Sequence, residues 1–297
     1  MKDIFLFDTS INITSYADDN TPYAMEKDTQ ALIYTLENDT SMMMEWFRIN
    51  EMKSNSDKCH LIIANETNME AKIGNDTIKG TDSVKLLGIT IDNKLKFSEH
   101  VSNLCKKANQ KLHALARVST FMNKKKLRMI MKSFIMSQFN YCPLIWMFHS
   151  RTLNNRINRI HERALKLVYK DSNKTFIELL EKDESFSIHQ RNLQKLATEM
   201  YKIKNNLSPI LVSEIFQNNQ SAYSLRKNRY WNNPNVRTVY NGTETISYRG
   251  PKTWELVPLS IRNIDSLPKF KIEIKKWKSC GCQYRLCRPF IPELGFL

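Results

Sequence analysis

Two adjacent aspartates, Asp18 and Asp19, follow Tyr16 and Ala17 in a short polar stretch of the sequence. Carboxylate oxygens are the hard ligands that Mg²⁺ prefers, and Mg²⁺ is usually held by one or two carboxylates together with substrate phosphates. A pair of such ions can stabilise the attacking and leaving oxygens of phosphoryl transfer. The residue types therefore favour a metal site for nucleotide chemistry, with solvated turn residues or a helix cap as the alternative.

The flanking residues predict the element that would present these carboxylates. Ile11, Ile13 and Tyr16 lie on a short alternating run, and a second run over residues 23–25 follows the polar stretch. This pattern predicts a β-hairpin with the acids at its tip. Downstream, the apolar spacing predicts a helix over 29–51, a strand over 58–63, and a further strand over 83–92 with a glycine inside it.

This order of elements, together with three short motifs, resembles the palm of reverse transcriptases encoded by non-long-terminal-repeat retrotransposons, particularly the jockey and chicken-repeat-like elements of invertebrates. The motifs are Tyr16-Ala17-Asp18-Asp19, Asp57-Lys58-Cys59 and Leu87-Gly88-Ile89. The resemblance implies that Asp18 and Asp19 bind Mg²⁺, that Tyr16 shapes the turn near the primer end, and that Lys58 lies near the departing pyrophosphate. It also implies an RNA template and a DNA primer, or their hybrid, as partners.

Further segments carry the resemblance through nearly the whole chain, namely residues 95–101, 137–146, 156–166 and 248–254. The resemblance implies an α+β fold in three parts. A partial right-hand polymerase palm covers residues 1–93, a helical thumb-like region covers 94–208, and a small basic carboxyl-terminal module, irregular or strand-bearing, covers 209–297.

The resemblance also implies features upstream of this hairpin. In that family an earlier palm strand carries another metal-binding aspartate, so we expect the chain to be the carboxyl-terminal part of an RNA-directed DNA polymerase, a nucleotidyltransferase. We expect no polymerase activity from the chain alone, and a separate amino-terminal half is a candidate partner. The alternatives are a non-catalytic remnant that binds nucleic acid and a degenerate reading frame that folds poorly.

The charge distribution separates an acidic part from basic ones. Residues 1–93 hold 8 Lys and Arg against 16 Asp and Glu, whereas residues 94–204 hold 23 against 8. With a formal net charge of +15 over the whole chain, the composition favours a polyanionic partner, whose phosphates would be neutralised in a salt-dependent way. An ordinary basic protein with a solvated lysine face is the alternative.

Helical spacing places many of these cations on predicted helices of the thumb-like region. Helices are predicted from residue 101, after a cap at Asn123, and over 153–169, 175–182 and 188–205. An arginine ridge at three- and four-residue spacing could follow a duplex backbone, or could be a solvated ridge paired with Glu162. The candidate nucleic-acid-binding residues are Lys106, Lys107, Lys111, Lys124, Lys125, Lys126, Arg128, Arg156, Arg159 and Arg163.

After residue 209 the sequence becomes rich in Asn, Ser and Arg, and short apolar runs at 236–240 and 245–248 indicate strands or loops. Trp231 and Trp254 are among aromatics that alternate with arginines. Such aromatics can stack on single-stranded bases, but the pattern is more typical of a small core.

The six cysteines and the absence of a signal-peptide pattern or a long uncharged apolar stretch predict a reduced, intracellular protein, nuclear or cytoplasmic, with no membrane partner. The clustered Cys280, Cys282 and Cys287 could supply three thiolates to Zn²⁺. Their irregular spacing and the lack of a nearby histidine favour free thiols instead. The first of the seven glycines is Gly74, and no Gly-rich phosphate loop is present, which excludes a P-loop nucleotide site.

Overall fold

The structure is a computed structural model that describes residues 10–53, 55–74, 76–219, 230–237 and 242–278. Contacts divide the chain into two units, Met1–Phe97 and Ser98–Leu297. The predicted boundary between residues 93 and 94 lies near this division, and the predicted boundary between 208 and 209 lies inside the second unit.

The first unit begins with a hairpin that packs on a long helix. Strands β1 (Asn12–Tyr16) and β2 (Asp19–Tyr23) are antiparallel, and α1 spans Thr29–Ile49. The hairpin and the helix are confirmed, although β2 starts at Asp19 rather than at residue 23, because the turn has two residues. The predicted strand over 23–25 is therefore wrong beyond Tyr23.

Helix α1 holds the unit together through one apolar face and two carboxylates. Met43 and Trp46 are buried against Ile11, which precedes β1. The buried Asp39 carboxylate accepts a hydrogen bond of 2.9 Å from the Ile11 backbone N–H. Glu37 accepts one of 2.6 Å from the Lys72 backbone N–H, so α1 fixes the backbone of two separate segments.

Two more hairpins complete the first unit. Strands β3 (Glu70–Ile73) and β4 (Asp76–Lys79) pair with each other, as do β5 (Ser83–Leu86) and β6 (Ile89–Asp92). Within the described residues the six strands form three separate two-stranded sheets. The assignment of this unit to a polymerase palm stays a prediction.

The single strand predicted over 83–92 is wrong, because the chain reverses in its middle. Leu87 and Gly88 both have positive φ, +46° and +85°. A two-residue turn with positive φ at both central positions is the type whose twist matches that of paired strands. The glycine that was predicted to lie inside a strand therefore makes the turn of a hairpin.

The second unit is helical. Its first part contains α2 (Ser98–Val118), α3 (Lys124–Ile130), a π-helical and a 3₁₀ turn over 131–139, and α4 (Pro143–Trp146). The middle helices are α5 (Arg151–Tyr169), α6 (Phe176–Lys182), α7 (Ile188–Lys204) and α8 (Ile210–Ser213). In the described residues after 237, helices α9 (Ile246–Leu256), α10 (Leu259–Arg262) and α11 (Leu267–Ile274) follow.

Local capping signals explain where several of these helices begin. The Asn123 side chain accepts a hydrogen bond from the Lys126 N–H, as predicted. Thr175 and Ser187 each form a capping box with a residue three positions later, Glu178 and Gln190 respectively. Each box satisfies two backbone groups that the first helical turn leaves unpaired.

An aromatic core joins α7 to the last helices. Tyr201 on α7 stacks on Phe270 of α11 with ring centroids 4.2 Å apart, and Trp254 lies edge-on to Trp231 at 5.9 Å. Trp231 and Trp254 are both buried. The prediction that these two aromatics fill a core is therefore confirmed.

The strand or loop predicted over 245–248 is wrong, because this segment caps and begins α9. A Cβ on Gly250 would lie 2.7 Å from the Met200 sulfur and 3.0 Å from a ring carbon of Phe216. The missing side chain lets α9 approach α7 closely and bury Trp254. Tertiary packing of this kind overrides the local preference of a short β-branched run. Most of the other predicted run, 236–240, lies outside the described residues.

Among the described cysteines, Cys105 is buried, Cys59 is half-buried and Cys142 is exposed. Burial raises the pKa of the Cys105 thiol to about 11. The candidate zinc ligands Cys280, Cys282 and Cys287 lie outside the described residues.

The second unit buries several histidines in their neutral form. Burial lowers the pKa of His149 to about 4. Burial, then the charge of Arg191, lowers the pKa of His161 to about 3, and burial, then the neighbouring His149, lowers that of His189 to about 3. In the unfolded chain each imidazole would titrate at its ordinary value of 6.5.

These shifts predict acid destabilisation of the second unit. Below pH 6.5 the unfolded chain binds protons that the folded chain excludes, so stability is complete above that pH and falls as the pH drops toward 3 to 4. Each histidine contributes up to about 1.4 kcal/mol per pH unit, or about 4 kcal/mol for the three together. Urea unfolding between pH 7 and 4 measures this slope.

His189→Gln should reduce that slope by about a quarter to a third, since it removes one of the four buried imidazoles whose pKa is lowered, the fourth being His100. His113→Gln is the control, because His113 is exposed on α2. A free energy of unfolding that stays constant between pH 7 and 5 would contradict the assignment of neutral, buried histidines.

Candidate metal site and nucleic-acid surface

The two aspartates lie at a two-residue hairpin turn. Tyr16 pairs with Asp19 across the strands, and Ala17 and Asp18 form the turn between them. Ala17 has a φ of +55°, in the left-handed region. An L-residue pays about 1 kcal/mol for that conformation, and such strained positions are often found at functional sites.

The carboxylates of the turn are exposed, while polar contacts hold the backbone behind them. Ser15 donates a hydrogen bond to the side-chain oxygen of Asn20 across the strands, and the Asn20 amide donates to the Asp18 carbonyl at 3.4 Å. The Tyr16 ring is 67% exposed beside the turn. The hairpin therefore presents one aromatic and two carboxylates to solvent.

The donor chemistry of this turn fits Mg²⁺. Asp18 and Asp19 would hold the ion with hard oxygen ligands, and water or phosphate oxygens would complete its octahedral shell. Within the part of the chain that the structure describes, no group of three or more His, Cys, Asp or Glu side chains is placed to hold a metal. Two carboxylates suit a single ion and fall short of a protein cage for two.

Lys58 lies on a different element from the one predicted. Residues Ser56–Lys58 form a 3₁₀ turn, capped by the Asn55 side chain, which accepts a hydrogen bond from the Asp57 N–H at 3.0 Å. The continuous strand predicted over 58–63 is therefore wrong: a local side-chain cap turns the chain at Lys58, and only isolated bridges follow, from Leu61 to Gly80 and from Ile63 to Glu66. Lys58 is exposed at the end of this turn.

The three candidate lysines of α2 differ in their surroundings. Lys106 and Lys107 are exposed. The Lys111 ammonium lies over the Phe134 ring, 5.8 Å from its centroid. This cation–π contact already stabilises the charge of Lys111 within the unit.

The three lysines in the first turn of α3 also differ in their surroundings. The Lys124 ammonium lies 4.3 Å from the centroid of the Tyr169 ring on α5, and this cation–π contact explains its position at a helix start. Lys125 and Lys126 are exposed, and they make no ion pair with any residue that the structure describes. Cations at a helix amino terminus oppose the helix dipole, which costs a few tenths of a kcal/mol or more.

Arg128 has a structural role that the sequence did not indicate. Its Nε donates to the buried Asp183 carboxylate at 2.6 Å, and its Nη2 donates to the Asp183 carbonyl at 2.5 Å. The Tyr169 hydroxyl donates to the same carboxylate at 2.9 Å. We therefore assign Arg128 to a junction of α3, α5 and the end of α6 rather than to a ligand surface.

Electrostatics at this junction favour the ionised carboxylate. Burial alone would raise the pKa of Asp183, but hydrogen bonds from Arg128 and Tyr169, together with the charge of Arg128, outweigh it and hold the pKa below its usual range. Burial and then the hydrogen bond to Asp183 raise the pKa of Tyr169 to about 12. No sequence pattern indicated this junction, since its members lie far apart in the chain.

The arginine ridge of α5 lies on the exposed side of that helix, as its spacing predicted. Arg156 donates to the Ser102 hydroxyl on α2 at 3.3 Å. Glu162 pairs with Lys166 at 2.7 Å, and Arg159 and Arg163 form no ion pair within the described parts of the chain. The predicted pairing of the ridge with Glu162 is therefore wrong, whereas a solvated ridge stays an alternative interpretation of the exposed arginines.

Six of the ten candidates thus combine exposure with the lack of an ion pair, a side-chain hydrogen bond or a cation–π contact to any described residue, whereas Lys124 contacts the Tyr169 ring and Arg156 the Ser102 hydroxyl. Helix α5 packs against both α2 and α3, the two other helices that carry them. We call this set the unpaired cations: Lys106, Lys107, Lys125, Lys126, Arg159 and Arg163.

Searches of protein-family models, of curated proteins and of solved structures found no match to this chain. Among the helices that the structure describes, none has the length and apolar character to cross a bilayer.

The contrast between Arg128 and Lys125 predicts different effects of two neighbouring substitutions. Arg128→Met should destabilise the second unit by about 2 kcal/mol, because it leaves the Asp183 carboxylate buried without its cation. The value is below that of a fully buried pair because the Arg128 side chain is 38% exposed. Lys125→Met should leave the free energy of unfolding within about 0.5 kcal/mol of the wild type. Equal losses measured by urea unfolding would contradict this division.

Proposed function

We propose that this chain contributes to RNA-directed DNA synthesis as a part of a reverse transcriptase, with a Mg²⁺-binding turn in its first unit and a nucleic-acid-binding helical surface in its second. The observation that carries the proposal is the hairpin turn itself. It exposes Asp18 on a strained two-residue loop that follows an exposed tyrosine, and it exposes Asp19 at the start of the next strand. The resemblance of the motifs supplies the reaction class.

In this proposal each residue of the turn has a definite task. Asp18 and Asp19 hold Mg²⁺, which when bound polarises phosphate oxygens and neutralises the charge that develops on them. Tyr16 lines the approach to the turn. Lys58, which is exposed, is proposed to meet the negative charge of pyrophosphate. The substrates are deoxynucleoside triphosphates and an RNA template paired with a DNA primer.

A second candidate function is binding of a nucleic-acid duplex without catalysis. The observation that favours it is the shortage of metal ligands, since the described residues offer two carboxylates where a two-metal reaction requires more. In this case the unpaired cations hold backbone phosphates, and the hairpin turn is inert. Both candidate functions predict salt-dependent binding of nucleic acid, so this binding does not distinguish them. The turn and the helices are therefore tested in separate experiments.

The first prediction concerns the turn. Asp18→Asn should weaken Mg²⁺ binding at residues 16–20 by at least about tenfold, because it replaces a charged ligand with a neutral one. NMR of the backbone amides during a Mg²⁺ titration measures this affinity. Asp82→Asn removes an exposed acid elsewhere in the first unit and serves as the matched control.

If Mg²⁺ shifts these amides equally in Asp18→Asn and in Asp82→Asn, the ion is not held by the turn, and the catalytic candidate loses its basis. Asp19→Asn gives an independent second variant at the same site.

The second prediction concerns the helices. Arg159→Met and Arg163→Met should each weaken binding to an RNA–DNA hybrid and lower the slope of log affinity against log salt concentration by about one. Fluorescence anisotropy at several salt concentrations measures that slope. Arg48→Met is the control, because Arg48 lies in the first unit and is already paired with Glu45 at 2.6 Å.

A salt slope that is unchanged in both α5 variants would reject the helical surface under either candidate function. Asp18→Asn should leave the hybrid affinity unchanged, which keeps the two tests independent.

A further inference from the structure

A partly buried arginine on α7, Arg191, has no anionic partner among the residues that the structure describes. Arg191 makes one hydrogen bond to a described residue, from Nη2 to the sulfur of the buried Met136 at 3.8 Å, and its buried Nε has none. No carboxylate in the described residues lies within ion-pair distance of it. Burial lowers the pKa of this guanidinium, which reflects the unfavourable loss of its hydration.

The side chains near Arg191 add positive charge and do not neutralise it. Lys195 lies one turn further along α7, and its ammonium donates to the Asn140 carbonyl at 3.2 Å. Arg191 and Lys132 both act electrostatically on His161, which is buried with no hydrogen-bond partner for Nδ1 among the described residues. The carboxylate nearest to this group in electrostatic terms, Asp183, is already bound by Arg128.

We propose that Arg191 and Lys195 bind a phosphate group beside the loop that begins at Asn140. A guanidinium offers parallel N–H donors that match two phosphate oxygens. The Lys195 ammonium donates to the carbonyl and to the side-chain oxygen of Asn140, at 3.2 and 3.5 Å, and keeps its third N–H for a ligand. A dianion would balance the charge that these two side chains carry. The exposed residues Asn140 and Cys142 lie beside Lys195.

The phosphate could be a free inorganic ion or belong to a nucleic-acid backbone. In the second case the site gives the helical unit an anchoring point in addition to the unpaired cations, and this identification of the source rests on the proposed function. The phosphate site itself does not rest on the proposed function, because it is inferred from the arrangement of Arg191, Lys195 and His161 alone.

The test uses the full chain and inorganic phosphate as the probe. Thermal unfolding is followed at increasing phosphate concentration, with chloride adjusted to hold the ionic strength constant. Phosphate should raise the unfolding temperature of the wild type. It should bind Arg191→Met at least about tenfold more weakly, because one charge-assisted bidentate contact is lost. Arg151→Met, which changes an exposed arginine at the start of α5, should keep the full response.

Without phosphate, Arg191→Met should unfold at or above the wild-type temperature, because it removes a buried charge. If that variant does not fold, Lys195→Met carries the test, and its phosphate affinity should fall about tenfold as well. The proposal is overturned if phosphate leaves the wild-type unfolding temperature unchanged, or if it raises that of Arg191→Met, or of Lys195→Met, as much as that of the wild type.

The hybrid-binding assay then distinguishes the two sources. A phosphate response lost in Arg191→Met together with weaker binding of an RNA–DNA hybrid supports a backbone phosphate. The same loss with unchanged hybrid affinity supports a free phosphate ion. Failure of the helical surface is recognised separately, since it appears in Arg159→Met and Arg163→Met while the phosphate response of the wild type remains.

Discussion

The arrangement of the helical unit depends on the ion pair and hydrogen bonds that surround the buried carboxylate of Asp183. This carboxylate accepts hydrogen bonds from Arg128 on α3 and Tyr169 on α5, while the Asp183 backbone carbonyl accepts a second bond from Arg128. Three helix ends therefore meet at one ionised group. A charge this deeply buried is tolerated only while its partners remain in place, which makes the relative positions of α3 and α5 specific. Those two helices carry four of the six unpaired cations.

The structure divides the positive charge of the second unit into two classes. Some cations serve the fold: Arg128 pairs with Asp183, Lys124 lies over Tyr169, and Lys166 pairs with Glu162. Others, such as Lys125 and Arg163, are exposed without such a partner in the described residues. This second class is the one that can neutralise phosphates, because a cation already paired gains less from an external anion. Net charge alone could not separate the two classes.

Elements set by neighbouring residues, such as the main helices and the first hairpin, could be predicted from the sequence. Features set by residues distant in the sequence could not. Helical periodicity and the cap at Asn123 located the main helices, and the polar pair after Tyr16 located the hairpin turn. The segment around Gly88 was assigned to one strand, because periodicity does not reveal that Leu87 adopts positive φ beside the glycine. The segment before Gly250 became a helix through its close approach to Met200, fifty residues away in the sequence. The partner of Arg128 lies 55 residues from it, beyond the reach of any local pattern.

Lysine footprinting shows whether the helical unit binds nucleic acid through its unpaired cations, as we propose. The chain is acetylated with and without an RNA–DNA hybrid, and the reactivity of each lysine is read by mass spectrometry. The account predicts protection of Lys106, Lys107, Lys125 and Lys126, while Lys53 and Lys85 of the first unit stay reactive. Uniform reactivity in the presence of bound hybrid, or protection confined to the first unit, would contradict it.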